Sequence, residues 1–264
     1  MKILVLGGSG MLGHRVARAL KHLNPIVPTR DEYTAPASLE RFDLSSDDYV
    51  INCIGAIPQK DKSPDEMRRI NSEFPHLLRA DGEFRVIQIA TDCVFDGQLG
   101  LYSETSLRSA KDVYGLSKAY GELPSFMNLR CSIIGPELTA KKSLFEWVAN
   151  QPVGATINGY ANHYWNGVTT DAFAKLVVGI IEQDLFNSGT RHFVPKDSVS
   201  KLQLIQMIAR KLERDDLEIL PTIVKRLDRT LKTNFPETNA KLWSLAGYPV
   251  IPKIETLIEH LALN

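Results

Sequence analysis

No stretch of this chain approaches the roughly 18 apolar residues that a membrane-spanning helix needs. Cysteine is scarce too: Cys53, Cys93 and Cys131 are odd in number, far apart, and each in or beside an apolar run. That pattern points away from a disulfide framework and toward reduced, buried thiols in a cytoplasmic protein. No Cys-x-x-Cys pair or Cys/His cluster offers a metal site. Neither sign of charge is in excess, since 31 Lys and Arg meet 31 Asp and Glu. This argues against a broad nucleic-acid or membrane surface, so any anionic ligand must be met by a local site. Internal repeats, low-complexity runs and obvious linkers are also absent.

What remains is an ordinary globular composition, 44% hydrophobic and 23% charged, in 264 residues. That is enough for one large α/β unit or two small lobes with a real core. Lys2 to Leu6 (KILVL) is a continuous apolar run, suited to a buried parallel strand rather than a signal peptide. Gly7-Gly8-Ser9-Gly10-Met11-Leu12-Gly13 follows, then an amphipathic helix from His14 to Leu23. The glycines fit two spacings, Gly8/Gly10/Gly13 and Gly7/Gly10/Gly13. Either one makes a tight turn that lets backbone approach a pyrophosphate at a helix start. Between a first strand and a first helix, the motif predicts dinucleotide binding by Gly7, Gly10, Met11, Leu12 and Gly13.

Ile26 to Thr29 reads as a short second strand. Thr29-Arg30-Asp31 at its end is mixed: an acid there would hold the ribose hydroxyl of NAD, and an Arg the 2′-phosphate of NADP. Arg30 comes first, which favours NADP over NAD. Asp31 to Asp47, with Pro36, is short for a crossover. Tyr49 to Ile54 is a buried strand whose end, Gly55-Ala56, should lie beside the cofactor. Ser63 to Arg79 reads as a helix carrying Asn71, which is either a solvated or locally bridging residue or one that orders the site. Phe84 to Ala90 is a strand followed by Thr91-Asp92-Cys93-Val94-Phe95-Asp96-Gly97, and Asn128 to Ile134 is another. Beyond Pro136 the pattern is less regular. Helices are expected at 142–150, 168–183, 200–213 and 253–263, a strand at 191–194, and a polar, aromatic loop from Gly159 to Gly167.

Within Asp112 to Gly121 stand Tyr114 and Lys118, which share one face of a helix. A fixed ammonium beside a phenol should lower its pKa from about 10 and suit it to proton transfer. Alone, this spacing recurs by chance and equally suits a Tyr packed on a Lys stem. Its weight comes from the order of the elements: strand, glycine turn, helix, strands, Thr91, Tyr-x-x-x-Lys, strand. That order is α/β, a Rossmann-like doubly wound parallel sheet.

Gly7 to Gly13, Ala90 to Gly97, Tyr102-Ser103-Glu104 and Val113 to Glu122 together resemble the extended short-chain dehydrogenase/reductases, and most closely their dTDP-4-dehydrorhamnose reductase branch. The resemblance covers most of residues 1–135 and is diffuse beyond, apart from Trp165 to Thr170. It implies an NAD(P)-binding Rossmann domain over 1–135, to which the helix 168–183 returns, and a small, mainly substrate-binding lobe over 136–264. It implies that Tyr114 is the general acid, that Lys118 lowers its pKa and binds the nicotinamide ribose, and that Thr91 steadies the carbonyl. Ala90, Tyr114 and Lys118 join the cofactor residues. Asp92, Val94 and Phe95 are placed on the substrate side; in the lobe, Arg229 is either the cation for a diphosphate or a surface arginine, Trp165 and His163 either meet the base or sugar or fill the small core, and Arg130 is structural. The implied reaction is NADPH-dependent reduction of the 4-keto group of a 4-keto-6-deoxy sugar on a nucleoside diphosphate, with a homodimer among the assemblies left open. An NAD-dependent epimerase or dehydratase, a small-carbonyl reductase and a non-catalytic regulatory subunit are the alternatives. Two departures stand out: Cys93 replaces the family's usual tyrosine, and the stretch before Tyr49 is short.

Overall fold

The computed structural model describes residues 1–33, 39–80, 82–139 and 141–263, so Pro36 lies outside the described residues. The N-terminal half runs β1 (Ile3–Leu6), α1 (Gly13–Ala19), α2 (Arg30–Tyr33), β2 (Tyr49–Asn52), α3 (Pro64–Arg68), α4 (Phe74–Ala80), β3 (Arg85–Ala90), α5 (Val113–Tyr120) and β4 (Met127–Arg130). It continues with β5 (Ile133–Ile134), α6 (Leu144–Ala149), β6 (Thr156–Tyr160), β7 (His163–Trp165), β8 (Val168–Thr169) and α7 (Thr170–Glu182). The remainder is β9 (Gly189–His192), β10 (Val199–Ser200), α8 (Lys201–Lys211), β11 (Glu218–Thr222), β12 (Leu227–Asp228), α9 (Pro236–Leu245) and α10 (Ile254–Glu259).

Five parallel strands form the main sheet in the order β1-β2-β3-β4-β9. Strand alternation divides its apolar residues between two faces. Ile3, Val5, Ile51 and Ile87 meet α1, α7 and α9 through Val16, Phe173, Val177 and Trp243. Leu4, Leu6, Val50 and Val86 meet Leu78, Phe84 and Phe126 on the other face. Both faces are therefore covered, as an all-parallel sheet requires, and the architecture is Rossmann-like. α7 returns to this layer, and β9 joins its edge from beyond residue 135.

The expected second strand shrinks to a single bridge. Ile26 pairs with Leu4, its N–H on the Ile3 carbonyl at 2.8 Å and its carbonyl accepting from Val5 N at 2.9 Å. Pro25 and Pro28 flank it, and neither has an N–H to extend the ladder. The chain then crosses to β2 on the other side of β1, which opens a crevice at the carboxyl ends of β1 and β2.

A second core, with Phe145, Trp165, Leu204, Ile208 and Ile258, fills the C-terminal lobe. Residues 159–167 were expected as a loop and instead supply the end of β6 and all of β7. β6 pairs in parallel with β11, and β7 with β10 and β12. These strands have two to five residues each. That is too short for a visible alternation, and β6 and β7 find their parallel partners some 60 residues away.

Candidate active site

The glycine turn is built for close backbone approach. Gly7 has φ +78°, and its carbonyl accepts from Gly10 N at 2.9 Å. A Cβ on Gly13 would lie 2.0 Å from that same carbonyl oxygen, so only glycine lets α1 start against the turn. No side chain caps the first turn of α1. This leaves its start for an anion, and the turn fits a dinucleotide pyrophosphate. Arg30 and Asp31 are both exposed where α2 begins. The neighbouring acid, Glu32, is already engaged: it accepts from Thr29 N at 2.7 Å and pairs with Arg41 at 3.3 Å.

α5 brings the central pair to the crevice. Asp112 caps it by accepting from Gly115 N at 2.8 Å. Gly115 allows the helix to lie against the stretch after β3, because a Cβ there would be 2.3 Å from the Cys93 carbonyl oxygen. Thr91 Oγ1 lies 3.2 Å from Asp92 Oδ1 and accepts from Cys93 N at 3.2 Å. The Lys118 ammonium is buried and donates to the Ile89 carbonyl at 3.0 Å.

The electrostatics differ from the sequence expectation. The Tyr114 phenol is pushed up, not down: burial leads, the Cys93 thiol and the Asp92 and Asp112 carboxyls add to it, and a hydrogen bond with Thr91 opposes. The Lys118 ammonium donates to the Ile89 carbonyl, not to the phenol. The tyrosine is thus held protonated, the state a proton donor needs. Burial also pushes Lys118 down to about 8, with Glu122 the leading opposition.

Asn71 orders the site from behind. Its Oδ1 accepts from Ala56 N at 2.9 Å, and its Nδ2 donates to the Ala56 carbonyl at 2.9 Å and to Ser117 Oγ at 3.1 Å. The expected helix 63–79 starts with a Ser63/Glu66 capping box but is interrupted by a π-helical turn, Arg69–Glu73. Pro75, with no N–H for the Asn71 carbonyl, accounts for the interruption. Asn71→Ala leaves both buried Ala56 groups unpaired, a cost of about 2 kcal/mol. Calorimetry should show melting lowered by roughly 5 °C.

A cleft of about 370 Å³ joins these parts. Gly10, Met11, Leu12, Gly55, Ala90, Thr91, Asp92, Tyr114 and Lys118 border it, as do Lys60, Ser132, Glu137 and Lys142, which no sequence pattern marked. Gly7, Gly13 and Ala56 support it from outside its lining. All three cysteines border it, rather than being unrelated core residues, and Cys53 and Cys93 are only partly buried. Burial pushes both of these thiols up to about 12, so they stay protonated. A wider apolar groove of about 590 Å³, bordered by Leu77, Leu116 and Tyr120, lies away from this chemistry.

On the substrate side the placement is mixed. Val94 and Phe95, expected as substrate contacts, are fully buried instead: they pack with Tyr102, Val194 and Leu231, and Phe95 stacks on Tyr102 at 4.3 Å. Trp165 is buried and donates from Nε1 to Ser132 Oγ at 2.8 Å. His163 turns its Nε2 to the Lys225 carbonyl at 2.9 Å. Arg229 sits on a strap that crosses the 95–104 loop. Its Nε donates to the Phe95 carbonyl at 2.9 Å, and its Nη2 lies 3.9 Å from Asp112. Burial raises the Asp92 carboxyl, opposed by Arg229 and by Lys201. Lys201, at the start of α8 and 5.6 Å over the Trp165 ring, was not anticipated because its neighbours come from distant segments.

Behind the cleft is a buried polar network. Arg130 forks onto Glu122 at 3.0 and 2.5 Å, and its Nη1 is 2.9 Å from His192 Nε2. That nitrogen must accept, so His192 is neutral and donates from Nδ1 to the Lys232 carbonyl at 2.7 Å. Burial and the Arg130 charge push the imidazole down to about 4. The unfolded chain takes this proton near pH 6.5, so stability is full above that pH and falls as pH drops toward 4. Urea titrations at pH 7 and 4.5 should differ by about 2 kcal/mol from this group, a difference lost in His192→Gln.

The matching family model is the RmlD substrate binding domain, over residues 1–132. A dTDP-4-dehydrorhamnose reductase of Burkholderia thailandensis is 34% identical over 135 residues, which cover 47% of this chain and 45% of that protein. A reductase of the same name from Mycobacterium tuberculosis is 30% identical, over 46% of this chain and 44% of that one. The match thus spans just under half the length of these relatives. A solved dTDP-4-dehydrorhamnose reductase from Bacillus anthracis in complex with NADP superposes with TM-score 0.79 at 18% identity, covering 99% of both chains. With the family model matching half of its length, the chain belongs to the RmlD substrate binding domain family, among the extended short-chain dehydrogenase/reductases.

Proposed function

We propose that this protein reduces the 4-keto group of a nucleotide-diphosphate 4-keto-6-deoxy sugar with NADPH. One observation carries the reading: Thr91, Tyr114 and Lys118 border the same cleft as the glycine turn. The names of the curated relatives and the NADP and NADPH held by two structural neighbours support it. The dinucleotide, when bound, supplies the hydride. The glycine turn and the start of α1 hold its pyrophosphate, and Lys118 orients the nicotinamide ribose. Thr91 hydrogen-bonds the substrate carbonyl, and Tyr114 gives its proton to the developing alkoxide. Burial keeps that proton in place until it is used. Arg229, whose guanidinium reaches Cys93 and Asp112, is the cation assigned to the sugar-nucleotide diphosphate.

Fluorescence titration with NADPH and NADH, each with and without dTDP, UDP and GDP, tests this. Micromolar NADPH binding, tightened by one nucleoside diphosphate, is the expected result. Tightly held NAD that copurifies with the protein would favour an epimerase or dehydratase, and no dinucleotide binding would leave a regulatory subunit.

A further inference from the structure

Two loops meet at one side of the cleft. One follows β2 and carries a short helical turn, Pro58–Lys60, with Asp61 next to it. The other follows β5 and leads into α6. Two ion pairs join them in opposite senses. Lys60 Nζ lies 3.3 Å from Glu137 Oε1, and Lys142 Nζ lies 2.5 Å from Asp61 Oδ2. Each loop thus gives one cation and one anion.

The β5 side is anchored in the C-terminal lobe, where α6 buries Phe145 and Val148. The Glu137 carboxylate is buried and accepts from Lys142 N at 2.6 Å and Ser143 N at 2.9 Å. Its own N–H donates to Glu146 in the first turn of α6, at 2.8 Å. The β2 side is looser, since the Asp61 side chain is 85% exposed. The joined loops also divide space. Lys60, Glu137 and Lys142 border the cleft. Gln59 and Lys142 border both the cleft and an outer pocket of about 490 Å³, which Trp147 and Gln151 also line. The loops are therefore the wall between the two, and parting them would merge cleft and outer pocket. Exposed ion pairs hold weakly, which suits a contact that must part and re-form.

We propose that these two reciprocal pairs form a latch that closes the cleft and parts to let the dinucleotide in and out. The dinucleotide's passage rests on the proposed function; the latch itself does not.

The test uses Cys53 and Cys93, free thiols that border the cleft, as reporters of its opening. The full-length protein is labelled with pyrenylmaleimide, a bulky uncharged reagent, and each cysteine peptide is followed by mass spectrometry. Lys142→Asp sets two carboxylates face to face and should speed labelling about fivefold. The swap D61K/K142D restores the pair in reverse and should return the rate to that of the wild type. Lys60→Gln removes the cation of the other pair and should also speed labelling, which keeps the test open should Lys142→Asp fail to fold. Equal rates in the wild type and both single variants overturn the proposal, as does a swap that labels as fast as Lys142→Asp. NADPH release, followed by stopped-flow fluorescence, should quicken with labelling and recover in the swap. Unchanged release beside faster labelling overturns the latch's part in dinucleotide exchange. Faster labelling in a protein that binds no NADPH supports the latch and removes the reductase reading instead.

Discussion

Tyr114→Phe is expected to lower carbonyl reduction roughly a thousandfold while leaving NADPH affinity unchanged. The substitution removes one hydroxyl and no ring, so packing around the start of α5 persists. What disappears is the proton that the carbonyl oxygen needs as it gains charge. The effect should appear in kcat and kcat/KM together, the signature of an interaction made in the transition state. The pH profile carries further information. The phenol is pushed upward by burial and stays protonated through neutral pH, so the alkaline fall in rate should follow Lys118, near pH 8. Stopped-flow absorbance at 340 nm with single-turnover enzyme separates this chemical step from product release.

Gly13→Ala should weaken NADPH binding on the order of 100-fold, since misplacement by about 1 Å has effects of that size. The added Cβ would stand 2.0 Å from the Gly7 oxygen, 2.6 Å from its carbonyl carbon and 3.1 Å from Gly8 Cα. All three are backbone atoms, so no side chain can swing aside. Either α1 tilts away from β1 or the turn opens, and both disperse the groups that meet the pyrophosphate. α1 packs on α7 within the main core, so thermal stability should fall as well, by about 1–3 kcal/mol. Isothermal titration beside a melting curve distinguishes lost binding from lost folding.

The parts of the site legible in the sequence are those whose chemistry is local. A glycine turn between strand and helix, and a Tyr and Lys one turn apart, each specify their geometry within a dozen residues. Asn71 was only half legible. Its amide meets Ala56 and Ser117, 15 and 46 residues away, and Pro75 was the one local hint of the turn that aims it. The strap bearing Arg229 left no signal, because β12 has two residues and its hydrogen bonds run to Gly97, Tyr102 and Phe95, far earlier in the chain. Val94 and Phe95 misled through proximity: they follow Thr91 closely, but the chain turns at Asp92 and carries them into the core. The Tyr114 pKa failed for a physical reason. Spacing reveals a nearby cation, but not the loss of water that outweighs it.

The most direct measurement of the central claim is NADPH oxidation during incubation with a dTDP-linked 4-keto-6-deoxy hexose, with the sugar product identified by NMR. One NADPH consumed per sugar reduced at C4, with no turnover by Tyr114→Phe, is the predicted result. Conversion of the sugar without net NADPH consumption, or undiminished reduction by Tyr114→Phe, would contradict it.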